Sequence, residues 1–197
     1  MIVIIYILIL TQFCAKNHIN YLKYFIMHLI TDLIDLYIDD MQNLYALKKT
    51  EWNELSNFIL NVKSDQLKII LNSRKKQASK QLGRIAEALL LFGKMPVDGE
   101  SKLIKIYFEE TEKVLKTITE RSVMEARIIE SFQIIAHIEI AIYGTLLSYA
   151  NTMKISKLAS LFENSLKEEK EFDLKLTIVA ENKINADALI ETFIPLN

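Results

Sequence analysis

Turn-forming residues are scarce in this chain, whose 197 residues include only four Gly and two Pro. Tight turns and β-hairpins depend on these residue types, so the sequence predicts long helices joined by a few short loops. Hydrophobic residues make up 51% of the chain and charged residues 25%, which is enough apolar material for one domain with a full core. We therefore expect an all-α protein.

Charge and cysteine content narrow the class of protein further. The formal net charge of −1 gives no general attraction to nucleic acid or to anionic lipid. The single cysteine, Cys14, cannot form an intramolecular disulfide and fits a reducing compartment. These features predict a cytoplasmic protein whose core domain contacts neither a membrane nor nucleic acid.

The first 26 residues form a separate apolar extension. They begin with the uncharged run MIVIIYILILTQFCA, which lacks the basic start of a signal peptide and is shorter than a membrane span of about 20 residues. Three interpretations remain open: a cryptic export signal, a genuine apolar extension, or translated sequence upstream of a true start at Met27. We expect a helical bundle over residues 27–187 and a C-terminal tail over residues 188–197.

Helical periodicity and end signals divide the chain into five helices. Apolar residues recur at three- and four-residue steps, which places them on one helix face. Ser64 with Asp65 suits a helix start, Gly93 suits a helix end, and Ser122 with Glu125 predicts a capping box. The predicted helices span residues 31–58, 64–93, 100–119, 122–151 and 156–182.

Four of these helices carry polar residues at mid-length, inside otherwise apolar stripes. A buried carboxylate must be paired, protonated or bound to a metal, because an isolated buried charge is too costly. Helix bundles that bind metals place their ligands in this way, at one level on facing helices. Glu51 also falls in the stripe of the first helix. The polar residues at mid-length are Lys48 in the first helix, Arg74, Gln77 and Gln81 in the second, Glu139 in the fourth, and Glu169 with Asp173 in the fifth.

Two runs in the second half of the chain resemble the YciE/YciF-type ferritin-like family. The run from Gln133 to Ala150 resembles the family helix Q-x-V-E-H-Y-E-I-A-x-Y-G-T-L, and the run from Leu166 to Leu176 resembles L-x-E-E-K-x-x-D-x-K-L. Weaker matches extend the resemblance over residues 29–187. It implies a ferritin-like four-helix bundle with an additional shorter helix, usually dimeric, with a carboxylate-rich di-iron-type site and a role in stress responses.

Several of the family's acidic positions carry other residues here. Lys48 replaces a glutamate of the first helix, Gln77 falls in an acidic stretch of the second, and Ala136 replaces the first glutamate of E-H-Y-E. The family pattern survives at four positions, which are the candidate metal remnant: His137, Glu139, Glu169 and Asp173. We expect Lys48, with Arg74, to replace the metal by neutralising the carboxylates of this remnant in a buried ion-pair cluster.

Simpler interpretations of the same residues stay open at this point. His137 also suits a hydrogen-bonded histidine on the side of a helix, and Glu169 with Asp173 a solvated acidic patch. Lys76, Lys80 and Arg84 share one helix ridge that could contact phosphates, although a solvated helix face is the simpler explanation.

Three functions follow from these alternatives. The first, which we favour, is a non-enzymatic structural or interaction homodimer whose di-metal site is degenerate and which needs no cofactor. The second is an active di-iron carboxylate protein that binds iron or manganese and oxidises Fe(II) or reduces peroxide. The third is a nucleic-acid-associated stress protein that uses the basic ridge.

Overall fold

The computed structural model describes residues 29–189. The chain divides into two units, Met1–Leu36 and Tyr37–Asn197, and the core packing and the candidate site belong to the second unit. The expectations for the apolar extension 1–26 lie outside the described residues. So do those for the C-terminal tail beyond residue 189.

Helices joined by short loops make up most of the described chain, and residues 29–189 contain no strand. Four helices are long and the third is shorter, which confirms the predicted all-α bundle with an additional shorter helix. The helices are α1 (Leu33–Asn61), α2 (Asp65–Leu90), α3 (Lys102–Leu115), α4 (Arg121–Thr152) and α5 (Ser156–Val179), followed by a π-helical turn (Ala180–Ile184) and the short α6 (Asn185–Ala188).

The two ends of α2 are set by the residues that the sequence predicted. The Ser64 hydroxyl accepts a hydrogen bond from the Leu67 backbone N–H (3.3 Å), as an N-cap does. Gly93 has a φ of +65°, the left-handed conformation that ends many helices, and the following Lys94 N–H donates to the Leu89 carbonyl (3.1 Å). Both predictions are confirmed.

The predicted capping box at the start of α4 is wrong. The helix begins at Arg121, so Ser122 already lies inside the first turn. Its hydroxyl donates to the Asp187 carbonyl (2.9 Å) and so connects the start of α4 to the C-terminal helix. The fifth predicted helix was expected to end at residue 182, but the helical chain continues past it. A π-helical turn follows α5 directly and buries Ile184 in the core.

Glu125 caps a different helix from the one predicted. Its Oε1 atom accepts hydrogen bonds from the backbone N–H groups of Lys63 (2.6 Å) and Ser64 (2.8 Å), just before α2 begins. A helix start presents N–H groups without intrahelical partners and a positive dipole end, and a carboxylate satisfies both. Glu125 thereby ties α4 to the α1–α2 loop.

The apolar core consists of two clusters. One contains Leu55, Phe58, Leu71, Phe108, Phe132 and Leu176, and the other contains Tyr37, Met41, Ile85, Leu146 and Phe162. The mid-helix polar residues separate these clusters along the chain: on α4, Glu139 lies between Ile135 of the first cluster and Tyr143 of the second. A charged layer therefore lies between two apolar ends of the bundle.

Among the described helices, α4 alone is long and apolar enough to cross a membrane by length and composition. Those two criteria are also met by core helices of soluble proteins. Eleven residues of α4 are buried in the described structure, among them the carboxylate-bearing Glu139. Part of the apolar surface of α4 therefore packs in the core of the bundle.

Replacing Glu125 by alanine should destabilise the protein, because two backbone N–H groups at the start of α2 lose a charged acceptor. We expect a loss of about 2 kcal/mol in the free energy of unfolding, measured by urea denaturation. Glu130→Ala is the matched control, since Glu130 is an exposed residue of the same helix that pairs with Arg127 at the surface (2.8 Å). Equal effects of the two substitutions would contradict the capping role.

Candidate functional site

Lys48 of α1 lies at the centre of the charged layer. Its Nζ atom is 2.6 Å from Glu139 Oε1, 3.0 Å from Glu51 Oε2 and 3.3 Å from Glu169 Oε1. One ammonium group therefore contacts a carboxylate of its own helix and one carboxylate from each of α4 and α5.

Arg74 of α2 contacts the same three carboxylates from its own side. Its Nε atom donates to Glu51 Oε1 (2.6 Å) and its Nη1 atom to Glu169 Oε1 (2.7 Å). Its Nη2 atom donates to Glu51 Oε2 (3.1 Å) and to Glu139 Oε2. The Arg74 guanidinium also lies 4.5 Å from the ring centre of Phe172, a distance at which a cation is attracted to an aromatic face.

These five residues form a closed group, which we name the charge cluster: Lys48, Glu51, Arg74, Glu139 and Glu169. Each cation contacts all three carboxylates, and each carboxylate contacts both cations. All five side chains are fully buried. Charged side chains are almost never fully buried unless they are paired, and this pairing is what permits their burial.

The charge cluster holds three carboxyl groups but only two cations, so one carboxyl group is in excess. Burial, with the neighbouring charges of Glu169 and Glu51, raises the pKa of Glu139 well above its ordinary value, although Lys48 and Arg74 oppose the rise. Burial also disfavours ionisation of Glu169, but there Arg74 and Lys48 prevail and lower the pKa to about 2. A proton taken up by the cluster therefore resides on Glu139 and not on Glu169, and it balances the two cations against the two remaining carboxylates.

The cations of the cluster keep their protons. Burial and the neighbouring Arg74 charge favour the neutral amine of Lys48, but the three carboxylates outweigh them and raise its pKa. Two polar oxygens beside the cluster, Glu169 Oε2 and the Tyr143 hydroxyl, are buried and lack a hydrogen-bond partner within residues 29–189. Burial, with the charges of Glu169 and Glu139, raises the pKa of that tyrosine.

The two other residues of the predicted metal remnant lie apart from the charge cluster. Asp173 accepts a hydrogen bond from Gln133 Nε2 (3.2 Å), between α4 and α5. His137 Nε2 is 3.5 Å from Asp173 Oδ2, and the His137 side chain is 66% exposed. The structure thus brings together Glu139 and Glu169 with the predicted cations, and pairs His137 with Asp173 nearer the surface.

The positions that lost acidic residues do not supply other donors. Ala136 is buried in the first apolar cluster, and Gln77 is half-buried on α2. Among the described residues, no group of three or more His, Cys, Asp or Glu side chains is arranged to hold a metal ion. The carboxylates that are closest together, those of the charge cluster, already bind Lys48 and Arg74, so the donor set does not fit a di-metal centre.

The basic run of α2 is divided among four environments. Arg74 is in the charge cluster, and Lys75 Nζ lies 5.0 Å from the ring centre of Trp52. Arg84 makes a two-pronged ion pair with Glu168 of α5, with distances of 2.6 and 2.8 Å. Of the predicted basic ridge, Lys76 and Lys80 alone are exposed.

Glu51 falls in the apolar stripe of α1, but its place in the site was not predicted from the sequence. The structure makes it an equal member of the charge cluster. The signal was its position three residues after Lys48, because residues three apart share a helix face and oppositely charged pairs at this spacing attract each other.

Comparison with known proteins identifies the family. Residues 32–189 match the family profile described as "Domain of unknown function (DUF892)". Protein YciF of Escherichia coli strain K12 is 28% identical over 159 residues, which cover 78% of this chain and 93% of YciF.

Solved structures give the same result. The structure of the E. coli stress protein YciF superposes with a TM-score of 0.73 at 25% identity, over 79% of this chain and 99% of that one. YcfI of Rhodopseudomonas palustris, a proposed structural protein, gives a TM-score of 0.74 at 25% identity with the same coverage. This chain therefore belongs to the DUF892 family, the YciE/YciF-type family that its helix motifs resemble.

Proposed function

We propose that this chain is a structural or interaction protein, working as a homodimer in the cytoplasm, in which the charge cluster takes the place of a metal centre. The contacts of Lys48 and Arg74 with the same three carboxylates carry this proposal. The descriptions of YciF as a stress protein and of YcfI as a proposed structural protein support it.

The charge cluster disfavours metal binding for two reasons. Every carboxylate in it already has two cationic partners, so a metal ion would have to displace them. A metal ion at this level would also be repelled by the Lys48 and Arg74 charges, which cannot leave because they are enclosed by the bundle.

The same cluster suits a structural role. Its members come from α1, α2, α4 and α5, and all of its contacts form together only when these four helices share one axial register. A slipped register would leave charges buried without partners, which is strongly unfavourable. We propose that the cluster selects this register, as buried polar groups do in some other helical assemblies.

The metal content of the purified protein tests the proposal against the di-iron alternative. The full chain, purified from growth supplemented with iron and manganese and measured by elemental analysis, should contain essentially no bound metal. About two metal ions per chain, as in di-iron carboxylate bundles, would contradict the proposal and favour a ferroxidase or a peroxide-reducing enzyme.

A variant of the cluster provides the comparison for that measurement. Lys48→Glu combined with Arg74→Leu removes both cations and adds one carboxylate, so iron uptake in an anaerobic Fe(II) titration should rise above that of the natural sequence. The surface variant Lys80→Leu removes an exposed cation of the same helix, outside the cluster, and should leave Fe(II) uptake unchanged. Equal uptake by all three proteins would show that the cations are not what limits metal binding.

The pH dependence of stability should reveal the proton on Glu139. Because its pKa is raised on folding, the folded protein holds a proton that the unfolded chain releases. The stabilising effect of this proton is complete below the unfolded pKa of about 4.3 and is lost as pH rises through the folded pKa. As pH rises from the unfolded pKa toward the folded pKa, the free energy of unfolding should therefore acquire a downward contribution of up to about 1.4 kcal/mol per pH unit.

Glu139→Gln should remove this pH-dependent contribution, because glutamine resembles the protonated acid in shape and remains uncharged. The groups that face Glu139 are Lys48 and Glu51 of α1, Arg74 of α2 and Glu169 of α5. Glu51→Gln is the matched comparison, since it removes a carboxylate that Arg74 contacts twice, and it should cost about 3 kcal/mol at pH 7. An equal cost for the two variants at pH 7 would contradict the assignment of the proton to Glu139.

A further inference from the structure

Three buried polar atoms at the edge of the charge cluster have no hydrogen-bond partner in the part of the chain that the structure describes. They are Gln81 Oε1 of α2, the Tyr143 hydroxyl of α4 and Glu169 Oε2 of α5, and all three residues are fully buried. A buried polar atom without a partner is costly, and in native proteins most such atoms bind another group or an ordered water.

The Tyr143 hydroxyl lies between the second apolar cluster and the charge cluster. The Tyr143 ring is 6.2 Å from the ring of Phe162, which lies two helical turns before Glu169 on α5. Burial, with the charges of Glu169 and Glu139, raises the pKa of Tyr143, and those charges act on the hydroxyl because it lies near them. The hydroxyl therefore lies along the stretch of α5 that runs from Phe162 to Glu169.

Gln81 reaches the same stretch of α5 from α2. Its Nε2 atom donates to Glu168 Oε2 (3.0 Å), and Arg84 Nη1 donates to the same oxygen (2.6 Å) and to Ser165 Oγ (3.2 Å). Because Glu168 offers only acceptors, the amide nitrogen of Gln81 must face it, and the amide oxygen is left on the other side. Since Gln81 is fully buried, that oxygen faces the interior of the bundle.

Small side chains line this level on both α2 and α5. Ala78 lies between Arg74 and Gln81 on α2, and Ser165 lies one turn before Glu169 on α5. Both are buried, and Ala78 belongs to neither of the two apolar clusters. The level beside the charge cluster is therefore polar and has small residues where large ones would fill the space, and these are the conditions for a buried water.

We propose that Gln81, Tyr143 and Glu169 bind one internal water molecule, which joins α2, α4 and α5 beside the charge cluster. Gln81 Oε1 and Glu169 Oε2 accept hydrogen bonds, and the Tyr143 hydroxyl can donate one. A water that donates twice and accepts once therefore satisfies all three atoms. A carboxylate oxygen accepts up to two hydrogen bonds, so a proton held by Glu139 leaves Glu169 able to bind the water.

A neutral molecule suits this site better than a cation. Lys48 Nζ and Arg74 Nη1 lie 3.3 and 2.7 Å from the other oxygen of Glu169, and a third positive charge beside them would be repelled. The Tyr143 hydroxyl also keeps its hydrogen, because its pKa is raised, and needs an acceptor. A water oxygen is such an acceptor, whereas a cation is not.

A crystal structure of the full chain at high resolution tests the site directly. We expect one ordered water oxygen at about 2.7–3.2 Å from Gln81 Oε1, the Tyr143 hydroxyl and Glu169 Oε2. A site without density, or a Tyr143 hydroxyl that donates directly to Glu169, would overturn the inference. Crystals grown with rubidium chloride should show no anomalous peak at this position, and a peak there would make the ligand a monovalent cation instead of water.

Urea denaturation tests whether the groups share one water. Tyr143→Phe and Gln81→Leu should each lower the folding equilibrium constant by about 10-fold, because each removes a partner of the water. If the water is shared, the double variant should lose much less than the roughly 100-fold expected of independent changes. Additive effects of the two substitutions would contradict the shared water.

Tyr37→Phe is the matched control for this cycle. Tyr37 is also fully buried and its hydroxyl also lacks a partner within the described residues, but its ring packs against Phe92 and Phe162 in the second apolar cluster. The effects of Tyr37→Phe and Gln81→Leu should add. Gln81→Leu removes the bond to Glu168 in both cycles, so that loss cancels in the comparison. Equal coupling of Gln81 to Tyr37 and to Tyr143 would show a general effect of packing and would overturn the site.

Discussion

The pairing of Lys48 and Arg74 with three buried carboxylates is the constraint on which the rest of the bundle depends. Burying any one of these five ionisable groups without a partner would cost too much free energy. Their burial is tolerated because each group contacts groups of opposite charge on other helices. Four long helices must therefore meet at one level. The apolar clusters above and below this level supply most of the burial energy, and we propose that the charge cluster selects how the helices align.

The loops reinforce that alignment without determining it. Glu125 joins α4 to the start of α2, and Ser122 joins α4 to the C-terminal helix. Outside the core, Arg84 and Glu168 connect α2 with α5 near the same level as the cluster. Each of these connections has one partner on α4 or α5, so these two helices link the other elements of the bundle.

Much of the fold and part of the site could be predicted from the sequence, for identifiable reasons. Apolar periodicity gave the five helices, and the interruptions at Lys48, Arg74, Glu139 and Glu169 indicated the charged level, because polar residues inside a buried stripe need partners. The four-residue spacing of Glu169 and Asp173 predicts that their side chains share one face of α5. Four residues are slightly more than one helical turn, so the Asp173 side chain is rotated relative to that of Glu169 and faces α4 and His137. Sequence spacing does not show which neighbouring helix lies in that direction.

The errors at helix ends have a similar cause. Ser122 and Glu125 have the spacing of a capping box, but the start of α4 is decided by contacts with α6 and with the α1–α2 loop. Those contacts join residues that are about 60 positions apart, and a local motif contains no information about them. For Glu51 the local information was useful, because its three-residue spacing from Lys48 indicates an ion pair on one helix face. Its contact with Arg74 on α2 could not be predicted from spacing.

The complete cross-pairing of two cations with three carboxylates also constrains how this protein can change by mutation. Each group has at least two partners, so any single replacement leaves more than one neighbour without part of its compensation. Conversion between this cluster and a metal-binding arrangement therefore requires coordinated substitutions on different helices, and the intermediates are less stable than either end state. Mutational drift should accordingly leave the cluster intact or replace it as a unit, while the apolar layers on either side exchange residues one at a time.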